Sequence, residues 1–198
     1  MPWRWPRWLP LPATAGEPGP HDPLPAPQPL LAALGQAYVG LANGLLWLGE
    51  RLLFPRLPAA PRRVGVLRVG QVGDLLTALP ALEAIRAAHP RAELWLLSSP
   101  GPAGAPGAEQ LFAAGGPVDR LCLWHREQLA APGGGRRWIE RIAALGLERV
   151  YLLPQELTRP WAQWRDLAAL RWAGARGVRG ARIHNAHGLP RAIARAHD

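Results

Sequence analysis

The chain has no lysine. All 23 of its basic side chains are arginines, set against 14 acids for a formal net charge of +9. Without lysine no Walker-type phosphate loop is possible, because that loop needs a lysine on the β- and γ-phosphates. Cysteine is almost absent too. Cys122 alone excludes an internal disulfide, and nothing points to an oxidising compartment. It lies in the apolar run VDRLCLWH and reads as a small core residue rather than a nucleophile. A dinucleotide fingerprint is also missing, since Gly70-x-x-Gly73 has no third glycine at the required offset. The start does not read as a signal peptide: prolines interrupt it, and no apolar run follows its first charges.

Arginine, alanine, glycine, proline and leucine fill the gap. A GC-rich genome gives that bias without selection for function, so the basic pI of 11.5 does not by itself imply nucleic acid. The distribution of charge says more. Residues 64–158 hold nine arginines and nine acids, whereas residues 159–198 hold eight arginines against Asp166 and Asp198. A neutral body argues against a nucleic-acid partner. The basic C-terminal segment suits an anionic partner on one side, or else reflects arginine as the default surface residue.

Five regions follow from composition. Residues 1–29 are a Pro/Trp/Arg-rich tail, too dense in proline for regular structure. In its first ten residues, Trp3, Trp5 and Trp8 alternate with Arg4 and Arg7, a pattern suited to a bilayer interface. Residues 30–54 read as an amphipathic helix. Leu34, Tyr38, Leu41, Leu45, Leu48 and Leu52 form a wide apolar face, and Gln36, Asn43 and Glu50 a narrow polar stripe. That helix could lie on a membrane, pack on the domain or a partner, or just span a bilayer; the glycines, the polar stripe and Glu50-Arg51 favour lying on a membrane. Residues 55–62 are a proline-rich linker, 63–185 an α/β domain, and 186–198 a tail.

Within 63–185 strands alternate with helices. The expected strands are 64–69, 92–97, 118–124, 149–153 and 178–183, with helices at 75–88, 109–114, 136–145 and 160–173. This predicts a Rossmann-like parallel sheet with helices on both faces and ligand-binding loops along one edge. In the last helix Trp161 and Trp164 with Leu167–Leu170 predict a buried face with arginines outside. The sharper reading takes Trp161, Trp164, Trp172 and Arg159, Arg165, Arg171 as a basic aromatic surface for a phosphorylated glycolipid. His184, His187 and His197 read as loop histidines rather than a metal site, because Pro190 interrupts them and their spacing fits a helical face poorly.

The informative stretch is residues 63–90, RVGVLRVGQVGDLLTALPALEAIRAAHP. It puts Asp74 after the first strand, at the start of a helix. Gly70 and Gly73 let the backbone turn and approach a ligand closely. Asp74 can be a helix cap, a proton acceptor for an attacking hydroxyl, or both.

The stretch resembles the N-terminus of the heptosyltransferase-type glycosyltransferases of family 9. The resemblance rests on Leu67-Arg68-Val69, Gly73-Asp74, Leu75-Leu76-Thr77, Pro80-Ala81-Leu82 and Arg86-Ala87-Ala88-His89-Pro90. Weaker similarity continues at Arg149–Leu153 and Arg171–Arg179. It implies the N-terminal half of a GT-B fold, the half that receives the acceptor, with Asp74 as catalytic base. Arg68, Gly70, Gln71, Gly73 and Thr77 would form the acceptor-binding loop. The reaction implied is inverting transfer from a nucleotide-sugar co-substrate to a cell-envelope glycan such as lipopolysaccharide core, without metal or other cofactor. Where many relatives have serines this chain has Gly70-Gln71-Val72, so its hydrogen bonds to an acceptor differ. Only the N-terminal domain is legible, so a partner chain supplying the donor domain is one expectation, and a fragment or decayed copy another. The expected location is cytoplasmic, peripheral at the inner face of the plasma membrane through residues 1–54. The alternative is a non-catalytic, membrane-associated Rossmann-like module that binds an anionic glycolipid or a partner protein.

Overall fold

The structure is a computed structural model and describes residues 29–99, 104, 106–155 and 158–185. The Trp/Arg start at 1–28, the tail at 186–198, and with it His187 and His197, lie outside the described residues. The strands are β1 (Arg63–Leu67), β2 (Glu93–Ser98), β3 (Arg120–Leu123), β4 (Arg149–Leu152) and β5 (Gly177–Arg179). The helices are α1 (Pro29–Leu53), α2 (Val72–Ala88), α3 (Ala108–Leu111), α4 (Arg126–Ala130), α5 (Gly134–Leu145) and α6 (Pro160–Trp172). All strand pairs are parallel, in the order β3-β2-β1-β4-β5. This is a Rossmann-like α/β sheet preceded by an apolar helix.

The near-continuous apolar character of the strands follows from burial on both faces. Val64, Val66, Leu94 and Leu96 meet Leu75, Leu82 and Ile85 of α2 on one side. Leu67, Leu97, Val150 and Leu152 meet Ile142 of α5 and Leu167 and Leu170 of α6 on the other. Each of these buried aliphatic side chains contributes roughly 1.5–3 kcal/mol. Pro80 sits near the middle of α2 rather than early in it, because the helix begins at Val72 instead of Leu75. The short α4 was not expected from sequence. Its N-terminus is held by Gln128, whose side-chain oxygen accepts the His125 N–H at 3.0 Å.

One face differs from the sequence expectation. On α6 the inward residues are Gln163, Leu167, Ala169 and Leu170, whereas Trp161, Trp164 and Trp172 are exposed along with Arg165 and Arg171. The buried-tryptophan reading is therefore wrong: smaller residues fill the α6 contact with the sheet, and the indoles lie outside it. On α1 the leucine face does not pack on the domain. The face that does carries Ala42, Leu46 and Gly49 with Asn43 and Glu50 of the polar stripe, whereas Gln36 is exposed. Glu50 is 1% exposed, and its carboxylate accepts the Ala181 N–H at 2.6 Å. Asn43 donates to the Ile183 carbonyl at 3.0 Å and accepts the Ile183 N–H at 2.9 Å. These bonds explain why β5 ends at Arg179 and not at Ile183: the backbone at 181 and 183 pairs with α1 side chains instead of a strand ladder.

At the C-cap of α2, His89 Nε2 lies 2.8 Å from the Tyr151 hydroxyl, which also accepts from Arg149 at 3.2 Å. Burial first, and the Arg149 charge second, hold the His89 pKa below its ordinary 6.5. The neutral ring is the folded form, and the unfolded chain takes up the proton more readily. His89 thus costs nothing above 6.5 and destabilises the fold as pH falls through 6.5 towards the depressed folded value.

Two measurements check these contacts. Asn43→Ala leaves the buried Ile183 backbone without partners and should lower the unfolding free energy by about 2 kcal/mol, seen as a lower urea midpoint at unchanged slope. Melting temperature should fall between about pH 7.5 and about pH 5.5, and His89→Gln should flatten that dependence.

Candidate functional site

In this strand order the chain runs from β1 to one side through β2 and β3, then to the other through β4 and β5. The loops after β1 and β4 therefore diverge at the C-terminal edge, and the crevice between them is where such sheets take ligands. A cleft of about 380 Å³ opens there. It is lined by Leu67 and Val69 after β1, Leu153 and Pro154 after β4, and Arg159, Trp161, Gln163 and Asp166 from α6.

Asp74 stands at the third position of α2 rather than at its N-cap, which is Gln71. Its Oδ2 accepts the Gln71 N–H at 3.1 Å, closing the first turn as the carboxylate half of a capping box. Asp74 keeps 40% of its side chain exposed, while Arg68 beside it keeps 12%. The Arg68 guanidinium lies 3.7 Å from Asp74 Oδ1 and donates to the Asp74 carbonyl at 3.3 Å. Its other arm donates to the carbonyls of Leu153 at 3.1 Å and Pro154 at 2.8 Å. One side chain thus fixes the loop after β1 to the loop after β4. Asp74 does not line the cleft; it stands one guanidinium away from the cleft residues Leu153 and Pro154.

The remaining residues singled out by sequence gather around Asp74. Gly70 has φ +149°, and a Cβ there would fall 2.4 Å from the Asp74 Cβ. Gly70 is therefore what lets the carboxylate sit against the turn. Its N–H donates to the Ser99 carbonyl at 3.1 Å. Thr77 donates its hydroxyl to the Asp74 carbonyl at 2.9 Å. Gly73 differs from Gly70: it is helical, and a Cβ on it would meet nothing within 4 Å. The chain itself does not require glycine there, and its bare backbone leaves free space beside Asp74.

Sequence reasoning named Arg159, Trp161 and Arg165 of the α6 wall as part of a basic aromatic surface but missed Gln163 and Asp166. Gln163 is buried there, and its side-chain oxygen has no hydrogen-bond partner. Asp166 accepts from Arg165 at 2.7 and 2.9 Å. Burial pushes its carboxyl pKa up, and Arg165 offsets part of that rise. The available signal was a glutamine and an aspartate set among indoles and guanidiniums in WAQWRD. A second cavity of about 510 Å³ lies between α4 and α5, against Trp124, Trp138 and Arg141, and holds none of the candidate site residues. Among the described residues no group of three or more His, Cys, Asp or Glu side chains could hold a metal ion.

The two glycines give opposite expectations. Gly70→Ala should cost about 1–3 kcal/mol, because it forces a positive φ on a β-carbon and drives it into Asp74. Gly73→Ala should be neutral or stabilise by about 0.5–1 kcal/mol in the same denaturant titration.

No family model matches the sequence, and no curated protein does. Among solved structures the chain is similar to the glycosyl transferase family 9 from Veillonella parvula DSM 2008, at 19% identity and a TM-score of 0.44. The likeness covers 59% of this chain and 31% of that one, so the chain spans under a third of that protein's length. At that score it carries no weight for chemistry.

Proposed function

We propose that the chain is the acceptor-binding half of an inverting glycosyltransferase of the heptosyltransferase type, the N-terminal half of a GT-B architecture. The observation that carries this reading is the placement of Asp74: a partly exposed carboxylate at the C-terminal edge of β1, fixed by Gly70 and Arg68 beside the switch-point cleft. Its surroundings in sequence, Gly73-Asp74, Thr77 and Pro80-Ala81-Leu82, support the same reading.

An acceptor glycan lies over the loop 68–77 with one hydroxyl against Asp74. The carboxylate takes the hydroxyl proton as the oxygen attacks the anomeric carbon of the donor. The new C–O bond forms as the bond from that carbon to the nucleoside diphosphate breaks, and the diphosphate leaves with the electron pair. Arg68 and Thr77 hold the Asp74 backbone, and Gln71 and Gly73 shape the loop around the acceptor. On this reading a donor-binding half completes the cleft. The acceptor is a cell-envelope glycan or glycolipid of the lipopolysaccharide-core kind. Because the donor is a nucleotide sugar, the site works in the cytoplasm, at the inner face of the plasma membrane.

A second reading, a non-catalytic module for an anionic glycolipid or a partner protein, is favoured by the internal partners that both Asp74 oxygens have. Asp74→Asn separates the two. Asparagine keeps an acceptor for the Gln71 N–H, so the fold should lose no more than about 1 kcal/mol. Transfer, assayed on the chain together with its donor-binding half, should drop about a hundredfold or more. Unchanged turnover in Asp74→Asn would remove the base role, and no transfer by the parent pair would leave the binding module.

A further inference from the structure

Because Ala42, Asn43, Leu46 and Glu50 of α1 face the domain, six of its leucines face outward. Leu30, Leu34, Leu41, Leu45, Leu48 and Leu52 are 45–71% exposed and form one ridge. At about 1.5 Å per residue the helix is roughly 35 Å long. At about 3.6 residues per turn, Trp47 and Arg51 fall on one side of the ridge and Gly49 on the other. The Arg51 guanidinium lies 5.1 Å from the Trp47 ring centroid. The Trp164 ring lies over Gly49, where a Cβ would come within 2.3 Å of it, and this joins α1 to the outward face of α6. On that face Trp161 and Trp172 are 60% and 77% exposed, and the Arg165 guanidinium lies 5.6 Å from the Trp161 ring centroid.

The two helices carry only two acids. Glu50 is buried under α1, and Asp166 is held by Arg165. What faces outward is therefore a leucine ridge with a tryptophan–arginine pair on either side and no free carboxylate.

We propose that the outward faces of α1 and α6 form one docking surface for an anionic lipid bilayer. α1 lies flat, with its leucines at the acyl boundary. The indoles sit at headgroup depth, and the guanidiniums meet lipid phosphates. Two other occupants fit less well. A second copy of this chain, packed ridge to ridge, would set arginine flanks against each other with no acid to pair them. A spanning arrangement would break the Asn43 and Glu50 bonds to residues 181 and 183 and put the Glu50 carboxylate into hydrocarbon. Trp161 and Arg165 also line the cleft, so a bilayer on this surface would stand at the cleft mouth. That suits a lipid-linked acceptor, a step that rests on the proposed glycosyl transfer; the docking itself does not.

Sedimentation of the full chain with vesicles tests the proposal. Binding is expected to phosphatidylcholine vesicles containing phosphatidylglycerol, weakening as salt rises from about 0.1 M to about 1 M. Leu41→Gln with Leu45→Gln, both exposed and so expected to melt like the parent, should weaken binding about tenfold or more. Arg51→Gln with Arg165→Gln should reduce binding to the anionic vesicles and not to phosphatidylcholine alone. The ridge variant leaves residues 1–28 intact, so it reads α1 and not the tryptophans of the N-terminal tail. Three results overturn the proposal: no binding to either vesicle, equal binding by the ridge variant, or a dimer in vesicle-free buffer that the ridge variant makes monomeric. Asp74→Asn should bind vesicles like the parent, so a failed transfer assay and a failed docking surface are told apart.

Discussion

The Arg68 guanidinium is the tie on which the candidate site depends. The β1–β4 ladder holds the two strands together up to the Leu153 N–H on the Leu67 carbonyl, and beyond that bond the two loops leave the shared edge in opposite directions. Arg68 supplies the missing constraint from within the first loop. It reaches two carbonyls after β4 and, with the same planar group, the carboxylate and carbonyl of Asp74. A guanidinium suits this because its donors are fixed in one fork. A lysine at the same place would offer one mobile charge, and the loops would be free to part. The same contact also fixes where a ligand could enter: the open space lies on the far side of Leu153 and Pro154, towards α6.

The orientation of α1 follows from a second constraint of the same kind. After β5 the chain has no sixth strand to pair with among the described residues, so the backbone at 181 and 183 needs other partners. Buried backbone groups left unpaired would cost on the order of 1–3 kcal/mol each. Asn43 and Glu50, two turns apart on one stripe, meet that need, and this rotates the leucines away from the domain. Ala42 and Leu46 are buried on the same side, so apolar packing and polar satisfaction agree on this rotation, and the leucine ridge is left uncovered.

The choice of helix face marks the limit of what the sequence makes legible. Strand and helix positions were readable to within a few residues, because the period of apolar residues switches plainly at Leu75, Arg136 and Pro160. The site loop was readable because glycine at 70 and a carboxylate at 74 flank a strand-to-helix turn. The outward face of α6 was legible only as the second of two readings. Its tryptophans look like core residues by composition, and only the packing of Leu167, Ala169 and Leu170 shows that the core was already full. The roles of Gln163 and Asp166 were hidden for the same reason, since a face has to be known before a polar residue on it can be called buried. Gly73 was read as a turn residue and is helical. The difference arises because Gln71, not Asp74, starts the helix, and that is decided by one hydrogen bond between them.

The same hydrogen bond bears on whether capping and catalysis compete at Asp74. An ionised carboxylate has roughly four acceptor positions on its two oxygens. The Gln71 N–H takes one of them on Oδ2, and the Arg68 guanidinium stands near Oδ1 at 3.7 Å, beyond a normal hydrogen bond. At least two positions therefore remain, on a side chain that is 40% exposed next to a glycine with open space at its Cβ. Capping fixes the direction of the carboxylate and does not saturate it. A helix cap and a proton acceptor are then the same group in one conformation, and the cap becomes the reason the acceptor is held still.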